Sequence, residues 1–154
     1  MAECNCHESD STLAYLTYCR QTSGRSPAWQ KTADEITRYG MERDYAVIAF
    51  DNRNVFHQMQ RYAGELERPL AMWLRYSGPV NHAEQGWPLA ENFAGDILII
   101  SERPREVPRM REDFANFDHV ADLVIPLDGD KTREFTLWRA SGHQRVTRDV
   151  AYED

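Results

Sequence analysis

The sequence predicts a small α/β protein, a single layered domain. Its mixed, mostly parallel sheet is flanked by helices on both faces and ends in a C-terminal antiparallel hairpin. Three observations carry this. "AVIAF" (Ala46 to Phe50) and "DILIIS" (Asp96 to Ser101) are short, continuous apolar runs, the pattern of strands covered on both faces. Apolar residues at helical spacing precede and separate these runs. Finally, "ADLVIPL" (Ala121 to Leu127) and "TREFTLWRA" (Thr132 to Ala140) flank "DGDK", a turn sequence.

Residues 1–25 read as a flexible leader, in which only "LAYLTYC" (Leu13 to Cys19) offers an apolar patch. The domain is expected over 26–141. Ser26-Pro27 is an N-cap followed by proline at the first helical position. Trp29, Ala33 and Ile36 then recur at helical spacing, and Gly40 supplies a C-terminal stop. After the strand ending at Phe50, Val55, Met59, Tyr62, Ala63 and Leu66 form a second helical stripe that Pro69 breaks. "LAMWLR" (Leu70 to Arg75) reads as a strand, and "YSGPVNHAEQGWPLAENFAG" as a long polar loop. Pro104 and Pro108 delay the next helix to about Pro108, with Met110, Phe114 and Phe117 facing inward. From Gly142 a polar tail without periodicity runs to residue 154. Burying Phe50, Trp73, Ile97, Ile99, Phe114 and Leu137 is worth ~1.5–3 kcal/mol each, enough to fold without metal or disulfide.

Composition narrows the function classes. The 154 residues suit one domain, and 42% hydrophobic with 28% charged residues is an ordinary globular mix. A net charge of -7 argues against a nucleic-acid partner, because a phosphate-tracking surface needs excess positive charge. Of 18 basic residues only Lys31 and Lys131 are lysine, a bias read as a property of the coding genome; a few arginines remain candidates for ligand forks. No apolar run approaches the ~18–20 residues that span a bilayer. The start, "MAECNCHESDST", lacks the basic and apolar stretches of a secretory signal, so the chain is expected to be soluble. Cys4, Cys6 and Cys19 are an odd number clustered in a polar leader, which is not a disulfide framework. With His7 they make an incomplete ligand set, and neither a metal nor a cofactor is expected.

Ligands in open α/β sheets gather at the carboxyl ends of strands. Asp51, Asn52, Arg53 and Arg75 fall at such ends, as do Ser101, Glu102 and Arg103. With His82 from the long loop, Asp51, Asn52, Arg53 and Arg75 are the candidate ligand-binding residues. Local use is the competing reading: Asp51 or Asn52 caps the next helix, and Arg53 pairs with Asp51. No glycine-rich dinucleotide loop, Walker sequence, G-x-S-x-G elbow or H-E-x-x-H is present. His57 reads as a helix-edge histidine, and His82 with Glu84 as a conceivable acid–base pair. No catalytic residue is assigned.

The segments "AFDNRNVFHQMQRYAGEL", "PLAMWLR", "GPVNHAEQGWPL", "DILIISE", "REDFANF" and "KTREFTLWRASG" go further. Their order resembles the C-terminal soluble region of bacterial family 39 glycosyltransferases, which are similar to protein O-mannosyltransferases and the aminoarabinose transferase of lipid A. The resemblance runs from about Arg25 to Gly142, with "DNRN" and "FTLWRASG" its clearest pieces.

That resemblance implies an accessory cap domain on the periplasmic side of a multi-pass membrane domain that uses a polyprenyl-phosphate sugar. The family's acidic catalytic residues lie in a membrane-proximal loop with no counterpart here, so no catalysis by this chain alone is expected. The implied partners are a membrane-embedded glycosyltransferase domain and a lipid-linked sugar. Two alternatives stand beside it: a free-standing α/β enzyme using Asp51, Arg53 and His82, and a sugar- or phosphate-binding module at the strand ends.

Overall fold

The computed structural model describes residues 26–149. The leader, with its three cysteines, lies outside them. The first helix, α1 (Pro27–Met41), starts as expected: Ser26 caps it by accepting from the Trp29 N–H, and proline takes the first position. Gly40, however, does not stop it. That residue lies inside the last turn, where a Cβ would meet Leu66 Cδ1 at 3.0 Å, so glycine is there for close packing.

Strand β1 (Val47–Phe50) follows, then α2 (Arg53–Tyr62), β2 (Leu70–Met72), a short α3 (His82–Gly86) inside the long loop, and β3 (Ile97–Ser101). A 3₁₀ turn (Pro104–Glu106) leads into α4 (Val107–Glu112), and the chain closes with β4 (Phe114–Pro126) and β5 (Thr132–His143). The sheet order is β2-β1-β3-β5-β4. β1 is parallel to both neighbours, with Phe50 opposite Met72 on one side and Ile100 on the other. β5 runs antiparallel to β3, and β4 completes the hairpin, with a bulge between His119 and Ala121. This is the α/β class with a mixed sheet that the apolar runs predict.

Side-chain alternation along β1 and β3 divides the core in two. Ile48, Phe50, Leu98 and Ile100 face α1 and α2, which bury Ile36, Val55, Phe56 and Met59 against them. Val47, Ala49, Ile97 and Ile99 face Met110 of α4, Leu89 and Trp73. Helices thus cover both faces.

One expected element is different. Phe114 and Phe117 are buried, but on β4 and not on a helix. α4 ends at Glu112 because the long β5 offers Phe114 and Phe117 partners at His143 and Ala140. Between these pairs Gly142 takes φ +66°, strict alternation breaks, and both rings join the second core.

Candidate functional site

The chain leaves β1 for β2 on one side and returns as β3 on the other, so the carboxyl ends of β1 and β3 form a topological switch point. Asp51 directly follows β1 and is only 6% exposed. Its Oδ2 accepts from Ser101 Oγ at 2.6 Å and from the Arg103 N–H at 3.2 Å, while Oδ1 accepts from the Glu102 N–H at 3.0 Å. Burial pushes its carboxyl up to about 6, against the opposing pull of these three hydrogen bonds and the Arg103 charge. Desolvation is the largest effect, penalising the ionised form by more than the three hydrogen bonds stabilise it.

The triplet that opens α2 divides its labour. Asn52, not Asp51, caps the helix: its Oδ1 accepts from the Asn54 N–H at 2.8 Å. Its Nδ2 donates to Glu102 Oε2 at 3.0 Å, a second tie between β1 and β3. Arg53 is exposed at the first helical position and makes no ion pair with Asp51.

Asp51, Arg53 and Arg75 line one crevice of about 260 Å³ with Arg103. Trp73 and Tyr76 add aromatic surface, and Glu84 and Glu106 add carboxylates. Each carboxylate is engaged. Glu84 accepts from the Val80 N–H and Asn81 Nδ2, while Asn81 caps α3 by accepting from the Glu84 N–H, a reciprocal capping arrangement. Glu106 is buried between Arg75 (3.3 Å) and Arg109 (3.2 Å). The Arg75 Nε is itself buried and lacks an aligned hydrogen bond, so it meets Glu106 as a charge pair only. Trp73 is held from behind: its Nε1 donates to Asp113 Oδ2 at 2.8 Å.

Two candidates lie elsewhere. Asn52 does not line the crevice, and exposed His82, the first residue of α3, makes no hydrogen bond to Glu84. His57 is exposed on α2, with Nδ1 3.1 Å from Gln60 Oε1. Trp73, Tyr76 and Glu106 are the residues that reasoning from motifs passes over. Trp73 carried a usable signal, since it continues "LAM" at a strand end; Glu106 carried none, being placed by the 3₁₀ turn after Pro104.

The arrangement is suited to polar recognition. Ser101 Oγ is buried and donates to Asp51, so it is not poised beside a histidine base. Among the described residues no group of three or more His, Cys, Asp or Glu is placed to hold a metal ion, and no helix is long and apolar enough to cross a membrane. Comparison with known proteins finds no matching family model, curated protein or solved structure.

Proposed function

We propose that this chain is an accessory recognition domain for a sugar, acting beside a membrane-embedded glycosyltransferase without catalysing transfer itself. The observation that carries the reading is the switch-point crevice. It combines an edge of buried Trp73 and half-buried Tyr76, whose ring Arg75 partly covers, with fixed polar groups and, among the described residues, no assembled nucleophile and base. Ligand pockets for drug-sized molecules run to about 300–1,000 Å³, so this one suits a single small ring and not an oligosaccharide. The resemblance of "DNRN" and "FTLWRASG" to the cap region of family 39 glycosyltransferases supplies the membrane partner.

Two measurements test the two halves of the proposal. Radiolabelled transfer from a polyprenyl-phosphate sugar in detergent is expected to give no product above a heat-killed control; turnover overturns the non-catalytic half. Titration with neutral and phosphorylated hexoses, followed by NMR, is expected to shift the Trp73 indole N–H. Silence across the panel overturns recognition.

A second reading, a small free-standing enzyme, is favoured by one feature. Asp51 holds its proton to about 6 at a cavity wall, a property enriched in acid–base catalysts. Chemical change in any hexose of that panel on overnight incubation, lost in Asp51→Asn, would select it.

A further inference from the structure

Resting on the reading of the crevice as a sugar site, we infer that the sugar it takes is anionic. It bears one phosphate ester or carboxylate, held between Arg53 and Arg103. Arg53 opens α2 after β1, and Arg103 follows β3, so the two residues line one crevice from both sides of the switch point.

The charge inventory of the crevice points the same way. Its two glutamates are committed, Glu84 to the start of α3 and Glu106 to Arg75 and Arg109. Asp51 spends both oxygens on Ser101 and the backbone of 102–103. Arg53 and Arg103 are left with no ion pair, side-chain hydrogen bond or aromatic partner among the described residues, and the Arg103 guanidinium feels the Asp51 charge only without direct contact. The chain has no shortage of partners to offer, with 25 acidic residues against 18 basic ones. Elsewhere Arg38, Arg139 and Arg148 each find a carboxylate, while Arg43 and Arg105 are exposed without one but do not line this crevice, so it is the placement of Arg53 and Arg103 that sets them apart. Two cations left without a direct partner at a concave polar site are a ready fork for one planar or tetrahedral anion. The amino end of the ten-residue α2 adds its partial positive charge on the same side.

The test is calorimetry on the full chain with four probes: a neutral hexose, its 1-phosphate, its uronic acid, and inorganic phosphate. At least one charged hexose is expected to bind ten-fold or more tightly than the neutral one, and to weaken as salt rises. Phosphate ester over uronic acid, or the reverse, identifies which anion the fork prefers. Arg53→Gln and Arg103→Gln should each lose about that ten-fold factor for the charged hexose and leave any neutral-hexose affinity unchanged. Arg43→Gln, an exposed arginine before β1 at the opposite end of that strand, should change nothing. Equal binding of neutral and charged hexoses overturns this inference and leaves the sugar reading standing. Inorganic phosphate binding as tightly as the hexose phosphate keeps the anion fork and overturns the sugar. No binding by any probe overturns both.

Discussion

Ser101 Oγ donates to Asp51 Oδ2 at 2.6 Å, joining residues at the carboxyl ends of adjacent parallel strands. Both side chains are buried, so this short bond ties β1 to β3 beyond their backbone ladder and fixes Asp51, which lines the crevice. A hydrogen bond to an ionised group is worth about 1.5–3 kcal/mol, and Ser101→Ala should lose about that much stability at neutral pH. The Asp51 carboxyl should also move further above 6, because the ionised form loses a donor. Urea denaturation reads the first effect and carbon-detected NMR titration the second. An unchanged titration would mean that the serine does not donate to the carboxylate.

Stability should depend on pH through Asp51, in a direction opposite to the usual carboxylate. An unfolded chain releases this proton near 3.8, whereas the folded chain holds it to about 6. Between those values the folded state binds more protons, so stability falls as pH rises. The penalty is absent below the lower value and complete above the upper one. Its size is on the order of 3 kcal/mol, from about two pH units at about 1.4 kcal/mol each. Asp51→Asn removes this dependence, so the wild type should lose ground against the variant as pH climbs from 4 to 6.5. Urea midpoints of both proteins across that range give the comparison. A constant gap would mean that burial leaves the carboxyl at its ordinary value.

Arg148 and Asp113 form the buried counterpart of this arrangement on the second core. Asp113 has no exposure, and its Oδ1 accepts from Arg148 at 2.9 Å and from the Val146 N–H at 3.0 Å. Arg148 also donates to the Arg109 and Arg75 carbonyls, so residues 144–148 are strapped against α4 and the loop after β2. Arg148→Met leaves a buried carboxylate with only the Trp73 indole and the Val146 N–H as donors, and should cost about 3–5 kcal/mol. Asp113→Leu with Arg148→Met should cost less than the two single changes summed. A loss below about 1 kcal/mol for Arg148→Met, as for a surface pair, would show that solvent screens the contact.

Much of this fold is legible in the residues, and where it is not the cause is long-range pairing. β1 and β3 announce themselves as unbroken apolar runs, Ser26-Pro27 as a helix start and "DGDK" as a hairpin turn, since each signal is local. Asp51, Arg53 and Arg75 could be placed together because strand ends meet at a switch point whatever the loops do. Phe114 and Phe117 misled because a spacing of three imitates a helix, and only the length of β5 decides for a strand. Trp73 was legible as core, but not as a crevice wall. Its indole is set by Asp113, forty residues away, and no local pattern marks an aspartate as that partner. The polar segment after Gly142 likewise shows no periodicity, because Arg148 and backbone groups hold it instead of an apolar stripe.

Gly142 is the last case, and it separates two costs that usually arrive together. It takes φ +66° opposite Ala115, and an added Cβ would stand 2.6 Å from the Ala115 Cβ. Gly142→Ala therefore meets a left-handed backbone penalty of about 1–2 kcal/mol and an overpacking penalty of about 1–3 kcal/mol. Gly129, in the hairpin turn, has a similar φ of +68° with nothing near its missing Cβ. Gly129→Ala should pay the backbone part alone, about 1–2 kcal/mol. Combining Ala115→Gly with Gly142→Ala opens the clash and should bring that variant down toward the Gly129→Ala loss. Thermal and urea denaturation of the three variants measures both parts. Equal losses at Gly129 and Gly142 would mean that β4 shifts freely away from the added methyl, and that the break in alternation between Phe114 and Phe117 is not held by this contact.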